Sequence, residues 1–241
     1  MPDQHVFVVV GVALLAGLAM PSGAILAFND RIQPQWLEQE IRHSVMALGA
    51  GALISAVALV LIPDGIRHHT TVSASLCFVG GALAFMALDI YLAKHKTPAS
   101  QLAAMLSDFI PESLALGTTA AMGGGTLLLG VLIAIQNLPE GFNAYREMAD
   151  ASNVKPKRLI MKFATMSLLG PIMAAVGYYW LAAYPMIIGG IMLFAAGGIL
   201  YSVFQDMAPQ IHMKNRWMPP MGAILGFLIG LVGFMLESAP T

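Results

Sequence analysis

The chain has 241 residues, of which 58% are hydrophobic and only 10% charged, with a net charge of −1. An ordinary soluble domain carries about 25% charged residues, so this composition points to a membrane protein. It excludes a nucleic-acid binder, which needs a basic face, and the single cysteine, Cys77, excludes an internal disulfide.

A membrane helix needs about 20 mostly apolar residues. In chain order the sequence offers eight such stretches: 6–28, 43–62, 72–93, 101–121, 127–148, 160–182, 185–205 and 219–236. No Lys or Arg precedes the first, whereas a secretory signal has a positive leading region, so it reads as a retained span. Little sequence lies between the stretches, and residues 1–241 read as a single transmembrane domain.

The charges then orient the spans. With the N-terminus outside, Arg31, Arg42, Lys94, Lys96, Arg146, Lys155, Lys157, Arg158, Lys162, Lys214 and Arg216 fall on the inner side, and Arg67 alone falls outside. Basic residues collect on the cytoplasmic side of short loops, so eight spans with both termini outside is the expected topology. The basic stretch NVKPKRLIMK at 153–162 reads as part of this orientation signal, a lipid-binding patch being the alternative.

Three carboxylates fall well inside spans: Asp108 and Glu112 in the fourth, Glu140 in the fifth. Ionisable residues at such depth are rare and normally face a bundle interior or a water path. Asp108 and Glu112 are four residues apart and share a helix face. Gln136, Glu140, Asn143 and Glu147 follow at steps of four, three and four, making one polar stripe, and Thr119 extends the first face outward. Interhelical hydrogen bonding is the bland alternative, but carboxylates serve it poorly unless protonated.

Each Glu follows a proline, in SDFIPESLALG and AIQNLPEGFNAY. A proline inside a helix removes one hydrogen bond and frees the carbonyl four residues back, here those of Ser107 and Ile135. In a membrane such a carbonyl is tolerated where it is buried in protein or lines a cavity. Carboxylate, amide and freed carbonyl oxygens at one level suit a cation; a packing kink is the alternative for either proline alone. The two motifs run in opposite directions, and LIPDG at the end of the second span is echoed by FQDMAP at the end of the seventh, a hint of inverted repeats.

These residues resemble the ZIP family of divalent-metal transporters over nearly the whole chain. MALGAGALISAVALVLIPDG looks like the family's second span, LFAAGGILYSVFQDMAP like its seventh, and the paired Pro-Glu motifs are the most specific match. The resemblance implies an all-α, eight-helix ZIP-like bundle with inverted repeats, a metal site between the fourth and fifth helices, an elevator-like or rocking movement, and often a homodimer. By position it implies Asp108, Glu112, Asn137 and Glu140 as ligands, with Gln136 beside them. Two departures stand out. Where the family usually has His-Asn this chain has Asp108 and Phe109, and where the sixth span often has Glu before its proline this chain has Gly170 before Pro171. The expected site is thereby reduced toward one metal with oxygen ligands, which suit magnesium, calcium and manganese, although zinc also accepts carboxylates.

The expected substrate is a divalent cation, with zinc, manganese, iron and cadmium as candidates, and no catalytic cofactor. The expected partners are such ions and membrane lipid, with no nucleic acid. The expected location is a bacterial inner membrane. No HExxH motif and no mid-span histidine occur, which argues against an intramembrane hydrolase, and no GxxxxGK[ST] loop supplies ATP. A non-transporting ZIP-like metal sensor or structural protein is the alternative. His68 and His69 read as a solvated loop pair or an outer capture site, and His43 as an interfacial or exit residue. Asp89 reads as a partner of Lys94 or a path residue. His95 and His212 read as inner-loop residues. The dense glycines read as close-packing sites.

Overall fold

The computed structural model describes residues 2–29, 35–94, 98–123, 126–151, 154–181, 183–211 and 217–238. Among these every element is helical and no strand occurs. Helix α1 covers Pro2–Asn29. Helix α2 covers Gln35–Ala56 and runs on through Val57–Leu61 and Ile62–Gly65. Helices α3, α4 and α5 cover Thr71–Lys94, Pro98–Ala121 and Thr126–Ala151. Helix α6 has a foot, Pro156–Met166, a turn at Ser167 and Leu168, and a second part from Leu169–Val176 into Gly177–Leu181. Helix α7 covers Pro185–Ser202 and runs on through Val203–Met207 and Ala208–Ile211. Helix α8 covers Met218–Ser238. The loop residues Arg31, His95, Lys96, His212, Lys214 and Arg216, used above for orientation, lie outside the described residues.

Among the described residues, 7 helical segments are long and apolar enough to cross a membrane, and the chain is a membrane protein whose described elements are all helical. The expected fourth span is the exception. It forms a 24-residue helix, but it is not among the seven, because Asp108, Pro111, Glu112, Ser113, Thr118 and Thr119 make it too polar. Its surroundings accommodate that polarity: α4 packs against α1, α5, α6 and α7, and Met105–Thr119 is buried or half-buried. A helix wrapped in protein needs no apolar face for lipid, so Asp108, Glu112, Ser113 and Thr118 are compatible with its place.

The helices fall into two groups. One contains α1, α4, α5 and α6, the other α2, α3, α7 and α8. The closest pairings are α1 with α5 and α4 with α6 in the first, α2 with α8 and α3 with α7 in the second. Glycines set these approaches. A Cβ on Gly23 would meet the Leu138 carbonyl, and one on Gly141 the Met20 carbonyl, so α1 and α5 touch backbone to backbone. Gly117 and Gly177 do the same for α4 and α6, Gly51 and Gly226 for α2 and α8, Gly81 and Gly197 for α3 and α7. The groups meet mainly where α2 lies on α5 and α4 lies on α7.

Helices α4 and α5 continue unbroken through Pro111 and Pro139. The local irregularities lie elsewhere, in π-helical turns at Val57–Leu61, Gly177–Leu181 and Val203–Met207. The first and third precede Ile62-Pro63 and Ala208-Pro209. Proline lacks an N–H and crowds the carbonyl four residues back, and widening of the helix relieves both. Accordingly the Ile62 N–H reaches the Val57 carbonyl and the Ala208 N–H reaches the Val203 carbonyl, five residues back in each case. The segment after the turn in α2 packs on α7, and the segment after the turn in α7 packs on α2. The LIPDG and FQDMAP echo is therefore also an echo of backbone geometry.

Candidate functional site

The seam between α4 and α5, where the first group faces α2 and α7, holds the polar residues expected from the sequence. On α4, Asp108, Glu112 and Thr119 share a face. On α5, Gln136, Glu140, Asn143 and Glu147 share another. Glu112 and Gln136 are each 1% exposed, and the Gln136 Nε2 donates a short hydrogen bond to Glu112 Oε2. This bond fixes the Gln136 amide with its oxygen directed elsewhere. Asp108 and Glu140 are half-buried. Asp108 Oδ1, Glu112 Oε1, Gln136 Oε1 and Glu140 Oε2 are each sealed from solvent without a hydrogen-bond partner. Thr119 Oγ1 on the same face of α4 is in the same condition.

Four orphaned acceptor oxygens along one seam are costly, because a buried polar atom without a partner loses about 1–3 kcal/mol relative to a satisfied one. The carboxylates also act on each other: Asp108 and Glu112 both lie within electrostatic reach of Glu140. They do not converge on a single point, however. Among the described residues no three His, Cys, Asp or Glu side chains are grouped closely enough to hold a metal ion. A cation in this seam would draw on the amide oxygen of Gln136 as well as on carboxylates.

Helix α2 shapes the opposite wall. Gly49 leaves room for the Pro139 ring: a Cβ there would lie 2.9 Å from Pro139 Cγ and 3.5 Å from Gln136 Cα. Asn143 donates to the Met46 thioether. Asn137, which the resemblance implies as a ligand, sits one position off the stripe. Its Nδ2 donates to the Ala16 carbonyl on α1, 3.0 Å away, and it is 1% exposed. The structure thus gives the Asn137 amide nitrogen an anchoring contact within the α1–α5 pair.

The Phe109 and Gly170 departures meet in space. Phe109 is fully buried, and a Cβ on Gly170 would lie 2.6 Å from its Cζ. Gly17 on α1 leaves room for the other side of the ring, with its Cβ position 2.9 Å from Cζ. A phenyl ring thus occupies the space left by the missing side chains of Gly170 and Gly17.

Along the seam the two directions differ. From Glu112 toward Thr119 the packing is apolar: Leu116, Leu129, Leu132, Leu53 and Leu61 are each 0–1% exposed. The other way it is polar, through half-buried Asn143 to exposed Glu147 and Asp206. Asp206 acts on Asp108, and Asp89 and Glu147 act on Asp206. Asp89, expected to pair with Lys94, instead accepts a hydrogen bond from the Tyr201 hydroxyl of α7 at 3.0 Å. Sequence pattern alone does not single out this group: Asp206 stands there only within the FQDMAP echo, and Tyr201, five residues earlier, is the available signal.

The histidines take structural places. His69 is half-buried rather than solvated. Its Nε2–H donates to the Met186 carbonyl at 2.8 Å and its Nδ1 accepts from Ser73 at 3.1 Å, tying the start of α3 to α7. His68 is exposed. His43 donates from Nδ1 to the Gln39 carbonyl one turn earlier, at 2.6 Å.

Compared with known proteins, the chain matches no family model and no curated protein.

Proposed function

We propose that this protein is a divalent metal cation transporter of the ZIP-like kind, moving zinc, manganese, iron or a similar ion through the seam between α4 and α5. The observation that carries the reading is the set of orphaned buried oxygens on Asp108, Glu112, Gln136 and Glu140. A cation entering the seam satisfies them; without one, protonation of the carboxylates is the remaining compensation. The resemblance to the ZIP family supplies the transport reading, and the distribution of basic residues agrees with its eight spanning helices and both termini outside. The split into two helix groups supports a movement of α1, α4, α5 and α6 against α2, α3, α7 and α8. The apolar packing toward Thr119 and the polar residues toward Glu147 and Asp206 support a state open to the inner side. Phe109 filling the space at Gly170 supports one metal rather than two. A bacterial inner membrane and a homodimer belong to the same proposal.

Flux tests it. Purified protein is reconstituted in liposomes holding a metal-sensitive dye, and Zn, Mn, Fe(II), Cd, Co and Mg are offered to wild type, Glu112→Ala and Glu140→Ala. Saturable uptake lost in both variants is expected, with oxygen-preferring ions competing well against zinc. No uptake of any metal by folded protein overturns transport. The second reading, a ZIP-like sensor or structural protein, then takes its place, and the Phe109 and Gly170 departures are what favour it.

A further inference from the structure

The foot of α6, Pro156–Met166, carries a face that the proposed transport does not use. Its sequence, PKRLIMKFATM, has three cations and no carboxylate. Leu159 and Phe163 are each 0% exposed and lock the foot onto α1 and α5. At about 100° per residue, Lys157, Arg158, Met161 and Lys162 occupy the opposite arc, and all four are exposed. Met161 is 64% exposed in the middle of that arc.

Length places this arc at a membrane surface. The segment Pro156–Leu181 has 26 residues, about 39 Å as a helix, against about 30 Å of hydrocarbon. The excess falls at the foot, because the other end is apolar and aromatic. The turn at Ser167 and Leu168 separates foot from span, and the Ser167 hydroxyl donates to the Gly17 carbonyl of α1 at 2.7 Å, fixing the angle between them. Clustered cations around an exposed methionine match a headgroup boundary: the thioether enters the acyl region while the long cationic side chains reach phosphate. A purely aqueous polyanion would gain nothing from Met161.

We infer that the Lys157, Arg158 and Lys162 face of the α6 foot binds the phosphate headgroups of anionic phospholipids. Positive-inside bias explains why basic residues lie on one side of the membrane. It does not explain their gathering on one arc opposite a fully buried face, with an apolar residue among them. Because the foot packs on α1 and α5, lipid held there also steadies the helix group that carries the seam.

The test uses full-length purified protein equilibrated with mixed phosphatidylglycerol and phosphatidylcholine, with retained lipid counted by native mass spectrometry. Wild type is expected to enrich phosphatidylglycerol. Each cation near an anionic surface is worth about fivefold in affinity, so Lys157→Gln/Arg158→Gln/Lys162→Gln is expected to lose the enrichment by at least about tenfold. Lys94→Gln, on α3, is expected to leave it unchanged. If the triple variant does not fold, the single Lys157→Gln variant and the loss of wild-type enrichment between about 0.1 M and about 0.5 M salt carry the test. Equal retention of the two lipids by wild type, or unchanged enrichment in the folded variants, overturns the inference. Displacement by millimolar inorganic phosphate overturns it as well, since the site would then bind free anion rather than lipid.

Discussion

Phe109 and Gly170 are expected to behave as one unit, and a double-mutant cycle measures this. In Gly170→Ala the new Cβ would sit 2.6 Å from Phe109 Cζ and 2.9 Å from the Ala13 carbonyl oxygen. Carbon–carbon contacts are optimal near 3.5–4.0 Å. Overpacking against both a ring and a backbone oxygen falls in the upper part of the usual range, about 2–3 kcal/mol, and helix propensity returns about 1, leaving a net loss of about 1–2. Phe109→Leu alone removes part of a fully buried ring and costs about 2 kcal/mol at about 0.8 per buried carbon. In the double variant the added methyl enters the space that Cζ has vacated. The Ala13 carbonyl is backbone and cannot rotate away, so relief is partial. The two losses should therefore sum to about 3–4 kcal/mol if independent, and the double variant should lose about 2–3, a coupling near 1 kcal/mol. Detergent-solubilised protein unfolded with sodium dodecyl sulfate and followed by tryptophan fluorescence gives all four corners of the cycle. Additivity within about 0.5 kcal/mol refutes the idea that Phe109 fills the space at Gly170. If the proposed transport reading holds, Phe109→Asn/Gly170→Glu is expected to bind one more metal ion per chain than wild type; an unchanged stoichiometry refutes the ring as what limits the site.

Three further outcomes follow from named contacts. Gly23→Ala and Gly141→Ala, which force α1 and α5 apart through backbone atoms, should each lower stability by about 1–3 kcal/mol, whereas Gly11→Ala and Gly80→Ala, with nothing within 4 Å, should be neutral or stabilising by up to about 1 kcal/mol; thermal unfolding in detergent separates the pairs, and stabilisation in all four would mean that propensity alone governs. Tyr201→Phe removes the hydroxyl from which Asp89 accepts, so a loss of about 1–2 kcal/mol is expected, with rescue in Tyr201→Phe/Asp89→Leu; no loss in the single variant removes the structural role of the Asp89–Tyr201 pair. Cysteine placed at Asn143 should react with a membrane-impermeant thiol reagent from the side bearing Glu147, and cysteine placed at Thr119 should not react from the opposite side; the reverse pattern contradicts a seam closed toward Thr119.

The sequence determined the class of protein and the chemistry of the seam. Long apolar stretches can satisfy their backbone in lipid only as helices, so element type and approximate bounds were legible from composition. Asp108, Glu112, Gln136 and Glu140 were legible because helical periodicity alone puts them on two shared faces. The place of α4 was less so: a polar helix reads as a span only when its neighbours exclude lipid, and which neighbours it has depends on contacts distant in sequence. Tertiary structure likewise decided that Asn137 turns its amide nitrogen to α1, that Asp89 meets Tyr201 rather than Lys94, and that His69 is tied on both ring nitrogens. It decided that the two sequence departures, Phe109 and Gly170, are one packing event. The physical reason is common to all of these. Periodicity fixes the direction in which a side chain leaves its own helix, but the partner waiting there is set by glycine-mediated approach between helices far apart in the chain.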